Sequence, residues 1–198
     1  MVLARLSRRA LIGAGACTLL TGLALRSVQA QQSPLPPTPQ CDDDDPTPAQ
    51  TEGPYFTPNS PERTNLLEDG MPGERIAVAG FVLDRRCRAV DRALLDLWHC
   101  DASGEYDNDG YRLRGHQFSD AQGRFVFETI VPGKYPGRTR HYHIKVQAPG
   151  RSILTTQLYF PGEPGNEADS IFDSALLLDI PLGHGPKLAR YDFVLDLG

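Results

Sequence analysis

Two of the five histidines in this 198-residue chain, His141 and His143, stand two positions apart in the stretch RTRHYHIKV. On a β-strand such a pair shares one face, whereas a helix would turn the second side chain about 200° from the first. The branched and apolar residues that follow favour a strand. Two neutral imidazoles aimed to one side could hold a metal ion, and could equally make ordinary hydrogen bonds.

Two tyrosines add context. Tyr106 sits in the polar, glycine-flanked stretch DASGEYDNDGYR, and Tyr135 in the turn VPGKYPGR, six residues before His141. Neither belongs to an apolar periodic run, so neither reads as core filling. Tyr142, between the histidines, must face the opposite way and reads as packing.

The elements that must carry these residues are short strands. RIAVAGFVLD (75–84), ALLDLWHC (93–100), GRFVFETI (123–130), HYHIKVQA (141–148), SILTTQLYF (152–160) and ARYDFVLDL (189–197) are separated by Gly, Pro and Asp turns. No useful window keeps a helical period. The pattern predicts an all-β domain, a sandwich or barrel.

The first 30 residues read as a cleaved export signal. A basic start is followed by an uncharged run from Ala10 to Leu25 and the small-x-small site Val28-Gln29-Ala30. That run is short for a membrane span, which needs about 20 residues. Ser7-Arg8-Arg9 and Arg26 point to the twin-arginine route, and hence to a periplasmic or extracellular protein. Residues 31–50, with six prolines and the run Asp42–Asp45, predict an extended, disordered tether. The domain proper is then 51–198, long enough for one core.

Net charge is −5, and no long basic stripe follows the leader, so nucleic acid and anionic membrane are excluded as expected partners. After cleavage three cysteines remain, Cys41, Cys87 and Cys100, which allow one internal bridge in an oxidising compartment.

The segments TEGPYF (51–56), LDLWHCDASGEYDN (95–108), SDAQGRFVFETIVPGKYPGRTRHYHIKV (119–146) and LTTQLYFPGEP (154–164), taken in order, resemble the core of the intradiol ring-cleavage dioxygenases. That family opens catechols between the two hydroxyls with a non-haem ferric ion, incorporating both atoms of O2 into a cis,cis-muconate-type product. The resemblance implies an antiparallel β-sandwich with long active-site loops and an Fe(3+) cofactor. It places the iron ligands at Tyr106, Tyr135, His141 and His143, with Tyr135 the axial tyrosinate that leaves when substrate binds. It also implies that Arg138 stabilises charge on the substrate and that Gln157 orients it, and that Gly53, Pro54 and Tyr55 line the pocket mouth. Partners would be a small catechol, O2 and, in some assemblies, further copies of the chain.

The donor set is chemically coherent. Ferric iron is hard and favours oxygen anions while tolerating imidazole. Two tyrosinates and a hydroxide would balance its charge, and catecholate could replace the hydroxide and one tyrosinate without changing that balance. The resemblance also implies a Cys87–Cys100 disulfide, with Cys41 left free or paired between chains. The chain lacks the helical N-terminal region of the catechol 1,2-dioxygenase branch, and the segment between Tyr106 and Tyr135 is short. It is therefore expected to resemble the protocatechuate-type core and to have a roomy pocket. Two rival readings are an iron-free binding module of the same fold and a zinc or copper enzyme on the same histidines.

Overall fold

A computed structural model describes residues 45–182 and 187–198. Among the described residues eight strands form two sheets: β1 (Arg75–Asp84), β2 (Leu94–Trp98), β3 (Arg114–Phe118), β4 (Arg124–Ile130), β5 (His141–Gln147), β6 (Leu154–Tyr159), β7 (Lys187–Arg190) and β8 (Phe193–Leu195). One sheet has the order β4-β1-β7, with β8 also on β1, and the other has the order β3-β2-β5-β6. Among the described residues the only helical element is a single 3-10 turn, Ser174–Leu176.

The core lies between the sheets and follows the period of two. Ile76, Val78 and Val82 of β1 and Phe125 and Phe127 of β4 meet Leu95 and Leu97 of β2 and Tyr142, Ile144 and Val146 of β5. Tyr142 is fully buried among them, and its hydroxyl donates to the Ile130 carbonyl at 2.9 Å. The packing role expected for it is what the structure shows.

Three features depart from the expectation. The strand read over 189–197 is two strands, β7 and β8, each pairing with β1 in parallel rather than antiparallel fashion. An additional strand, β3, lies at a sheet edge. It lacks apolar alternation because its inward positions are specialised: Gly115 makes room for Leu66, and Gln117 exchanges hydrogen bonds with the Val126 backbone of the other sheet. Finally, the tether boundary moves. Thr47 is buried and exchanges backbone and side-chain bonds with Val194, and Gln50 N donates to Thr155 O. Residues 46–50 thus belong to the folded domain; the leader and the rest of the tether lie outside the described residues.

The predicted Cys87–Cys100 disulfide is not formed. Cys100 is a free, buried thiol whose Sγ lies 3.6 Å from the Gly133 carbonyl. Cys87 is disulfide-bonded, but its partner is outside the described residues. The reason is strand length. Cys87 lies in the connection before β2 and Cys100 just beyond its far end. At about 3.3 Å per residue that strand separates them far beyond the roughly 6 Å between Cα atoms that a disulfide spans.

Candidate metal centre

The opposite face of the β3-β2-β5-β6 sheet carries the chemistry. Its registers place Arg114, Trp98, His143 and Gln157 in one row across the four strands, with His141 beside Tyr159 in the next row. The histidines therefore share a face, as their spacing predicts. Their Nε2 atoms lie 3.1 Å apart.

Each imidazole is oriented from behind. His141 Nδ1 lies 2.6 Å from the Thr139 carbonyl, which can only accept, so that nitrogen carries the proton and Nε2 presents its lone pair. His143 stacks on Trp98 at 5.1 Å and 8°, and its Nδ1 is buried with no polar partner. Its remaining donor function is confined to Nε2. Burial pulls the pKa of His141 down to about 4 and that of His143 well below its ordinary value, so both rings are neutral at pH 7.

The strap from Gln50 to Ser60 crosses this face. Gly53 makes that possible: at φ +73°, a Cβ there would stand 3.2 Å from His143 Cε1. Beyond it, Tyr55 stacks on Tyr106 at 4.5 Å and its hydroxyl lies 2.7 Å from that of Tyr135. Pro54 is exposed beside it. Arg114, almost fully buried, bonds the Tyr55 carbonyl at 2.6 Å and the Asp107 carbonyl at 2.7 and 3.0 Å. It ties the strap to the loop that bears Tyr106.

The two tyrosine loops meet backbone to backbone. A Cβ on Gly104 would lie 2.4 Å from Lys134 O, and one on Gly133 would lie 2.4 Å from Gly104 N. Only glycine allows that approach. Asp101 braces it, its carbonyl accepting from Gly133 N at 2.7 Å and its carboxylate from Ser103 and Glu105. As a result the Tyr106 ring lies 6.2 Å from that of His143 and 6.0 Å from that of Tyr135. Burial pushes the Tyr106 phenol well above its ordinary pKa. Its ionisation would require a nearby cation of high charge.

Arg138 and Gln157 are also brought together. Arg138 Nη2 donates to Gln157 Oε1 at 2.7 Å, and Gln157 Nε2 donates to the Thr51 carbonyl of the strap at 3.1 Å. Tyr159 hydroxyl holds the same Gln157 oxygen at 3.1 Å. Trp98, Arg114, Tyr159 and Gln50 were not singled out by sequence reasoning. For Trp98 the signal was present, since it lies in the matched segment LDLWHC on the face that the alternation of β2 leaves outside the core.

The set fits a ferric ion. Among the described residues no three His, Cys, Asp or Glu side chains gather as a metal site, so a cation on these histidines must draw its anionic donors from the phenols. Two neutral imidazoles, His141 with its Nε2 lone pair turned to the site, and two half-buried phenols are donors that suit a hard trication.

A family model described as "Dioxygenase" matches residues 51–196. The chain is 35% identical over 127 residues to the protocatechuate 3,4-dioxygenase beta chain of Burkholderia cepacia, covering 54% of each chain. The dioxygenase domain of a dioxygenase–carbohydrate-binding protein fusion from Streptomyces sp. SirexAA-E superposes with a TM-score of 0.75 at 53% identity, over 78% of this chain and 100% of that one. The 3-chlorocatechol 1,2-dioxygenase of Rhodococcus opacus 1CP superposes with a TM-score of 0.70 at 29% identity, over 78% and 74%. This chain belongs to the intradiol ring-cleavage dioxygenase family. It spans about half the length of the first curated relatives it matches.

Proposed function

We propose that the protein is an exported ferric intradiol dioxygenase that cleaves catechol-type diols with O2. The observation that carries this reading is the convergence of His141, His143, Tyr106 and Tyr135 at one end of the outer sheet face. Those four would hold the iron, which when bound supplies a hard Lewis-acid centre that binds the deprotonated diol and primes it for O2.

The chain's own residues do the rest. Tyr135 would be the ligand that substrate displaces; its Oη would take a proton from a catechol hydroxyl, with the Tyr55 hydroxyl, 2.7 Å away, as its hydrogen-bond partner. Arg138 stabilises negative charge that develops on substrate oxygen. Gln157, its amide fixed at both ends, orients the ring relative to that charge. The strap, with Gly53, Pro54 and Tyr55, closes one side against water.

Export by the twin-arginine route suits this reading, because a protein that must load iron benefits from folding before it leaves the cytoplasm. The functional test is oxygen uptake by iron-loaded protein against catechol, protocatechuate, hydroxyquinol and bulkier catechols, with product identification. Muconate-type products support the reading. Cleavage outside the diol, or no oxygen uptake with any catechol, rejects it.

A further inference from the structure

The loop that follows β6 turns three polar side chains back onto the segment that precedes β5. Glu163 accepts from Arg140 Nε at 2.7 Å and pairs with Lys134 at 3.2 Å. Asn166 Oδ1 accepts from the Thr139 hydroxyl at 2.7 Å, and its Nδ2 donates to the Phe160 carbonyl at 3.0 Å. Asp169 reaches deepest, with its side chain only 2% exposed.

Asp169 has every oxygen engaged. Oδ2 accepts from Arg138 Nε at 2.8 Å and from Thr139 N at 3.0 Å, and Oδ1 accepts from Ile171 N at 3.2 Å. Burial alone would raise its pKa, yet the bonds from Thr139, Ile171 and Arg138 bring it below the ordinary carboxylate value. The group is an anion, charge-assisted and held by two backbone amides.

The consequence falls on Arg138. A guanidinium is a rigid planar fork. With Nε on Asp169 and Nη2 on Gln157, its plane and its rotation about the side-chain axis are both set. Without Asp169 only Nη2 would be held, by Gln157 at 2.7 Å and the Tyr159 hydroxyl at 3.5 Å, and bonds on that one nitrogen leave the rotation free.

We propose that Asp169 is a positioning residue for ring cleavage: its carboxylate fixes the plane in which Arg138 presents its guanidinium to the bound diol. This rests on the reading that Arg138 faces substrate in an intradiol dioxygenase. The anion also partly neutralises Arg138, so the arginine acts as an aimed hydrogen-bond donor more than as a free positive charge. Nothing local in the sequence marks this residue, which lies 31 positions from its partner.

The test is a double-mutant cycle in the iron-loaded full chain, with Asp169→Asn, Arg138→Ala and the double variant. Asp169→Asn should retain iron and the visible tyrosinate band, and lose about tenfold or more in kcat/KM, mostly through kcat. In the Arg138→Ala background the same change should cost at least about fivefold less. Arg138→Lys keeps the charge but has no Nε–H for Asp169, so it should reproduce the defect while the Thr139 and Ile171 bonds persist. A readout independent of turnover is the Arg138 Nε–H signal of 15N-arginine-labelled protein, slow to exchange in the wild type and fast in Asp169→Asn. Equal losses in both backgrounds, full activity of Asp169→Asn, or an unchanged Nε–H would overturn the proposal. Failure of the wild type to cleave any catechol would instead reject the functional reading, and the Nε–H measurement would still decide whether Asp169 holds Arg138.

Discussion

His141 and His143 place their Nε2 atoms 3.1 Å apart on one face of β5, with the proton of His141 turned away toward the Thr139 carbonyl. His143 Nδ1 has no polar partner, so its proton can sit on Nε2 and be donated to the Nε2 lone pair of His141. On the proposed reading, a cation held by both Nε2 atoms would replace that hydrogen bond, with Tyr106 and Tyr135 as its anionic donors.

The first prediction concerns colour. Iron-loaded wild type should absorb visible light through tyrosinate-to-iron charge transfer, and Tyr106→Phe should bleach or shift that band while the fold persists. Activity should fall by at least about a hundredfold, which at 1.36 kcal/mol per decade is roughly 2.7 kcal/mol of lost transition-state stabilisation. An unchanged spectrum with full activity would remove Tyr106 from the ligand set.

A second prediction concerns acid. His99 is buried, with Nδ1 2.7 Å from Cys100 O and Nε2 2.7 Å from Thr129 Oγ1, and burial lowers its pKa from 6.5 to about 4. Between those values the unfolded chain binds the proton and the folded chain does not. Stability therefore rises with pH across that window, and is lost as pH falls from 6.5 toward 4. Urea midpoints measured at intervals from pH 7 to 4 should fall for wild type and fall less steeply for His99→Gln. Equal slopes would show that His99 is not a source of the dependence.

How much of this was legible in the sequence depended on distance along the chain. The pairing of His141 with His143 follows from local alternation, and Tyr142 on the opposite face follows from the same rule. The segment match placed Tyr106, Tyr135, Arg138 and Gln157. The row from Arg114 through Trp98 and His143 to Gln157 was not legible, because cross-strand register is set by contacts between distant segments. Nor was β3, whose Gly115 and Gln117 answer to Leu66 and Val126 rather than to a local pattern. The cysteine pairing failed for a related reason: sequence separation between Cys87 and Cys100 is small, but an intervening extended strand makes it large in space.

Cysteine chemistry gives a third prediction. Cys100 is buried, and burial raises its thiol pKa to about 11, so it should resist alkylation in native protein and react only on unfolding. Non-reducing peptide maps should find Cys87 in a disulfide. On the proposed cleavage of the leader, which would remove Cys17, the bridged peptide should contain Cys41. A Cys87–Cys100 peptide would contradict the structure.

The fourth prediction concerns substrate size. The two tyrosine loops are drawn together at Gly104 and Gly133, and the strap lies over the same face through Thr51 and Gly53. The ratio of kcat/KM for catechol to that for a catechol with a bulky 4-substituent should stay within about a hundredfold. A larger penalty would mean that the strap, or a second copy of the chain, closes the opening.

The central claim is that these residues direct both atoms of O2 into a diol split between its hydroxyls. The most direct measurement is mass spectrometry of the product formed from unlabelled catechol by the iron-loaded protein under 18O2. The account predicts a cis,cis-muconate with one labelled oxygen in each of its two carboxyl groups. A product carrying no label, or an aldehyde-containing product from cleavage beside the diol, would contradict it.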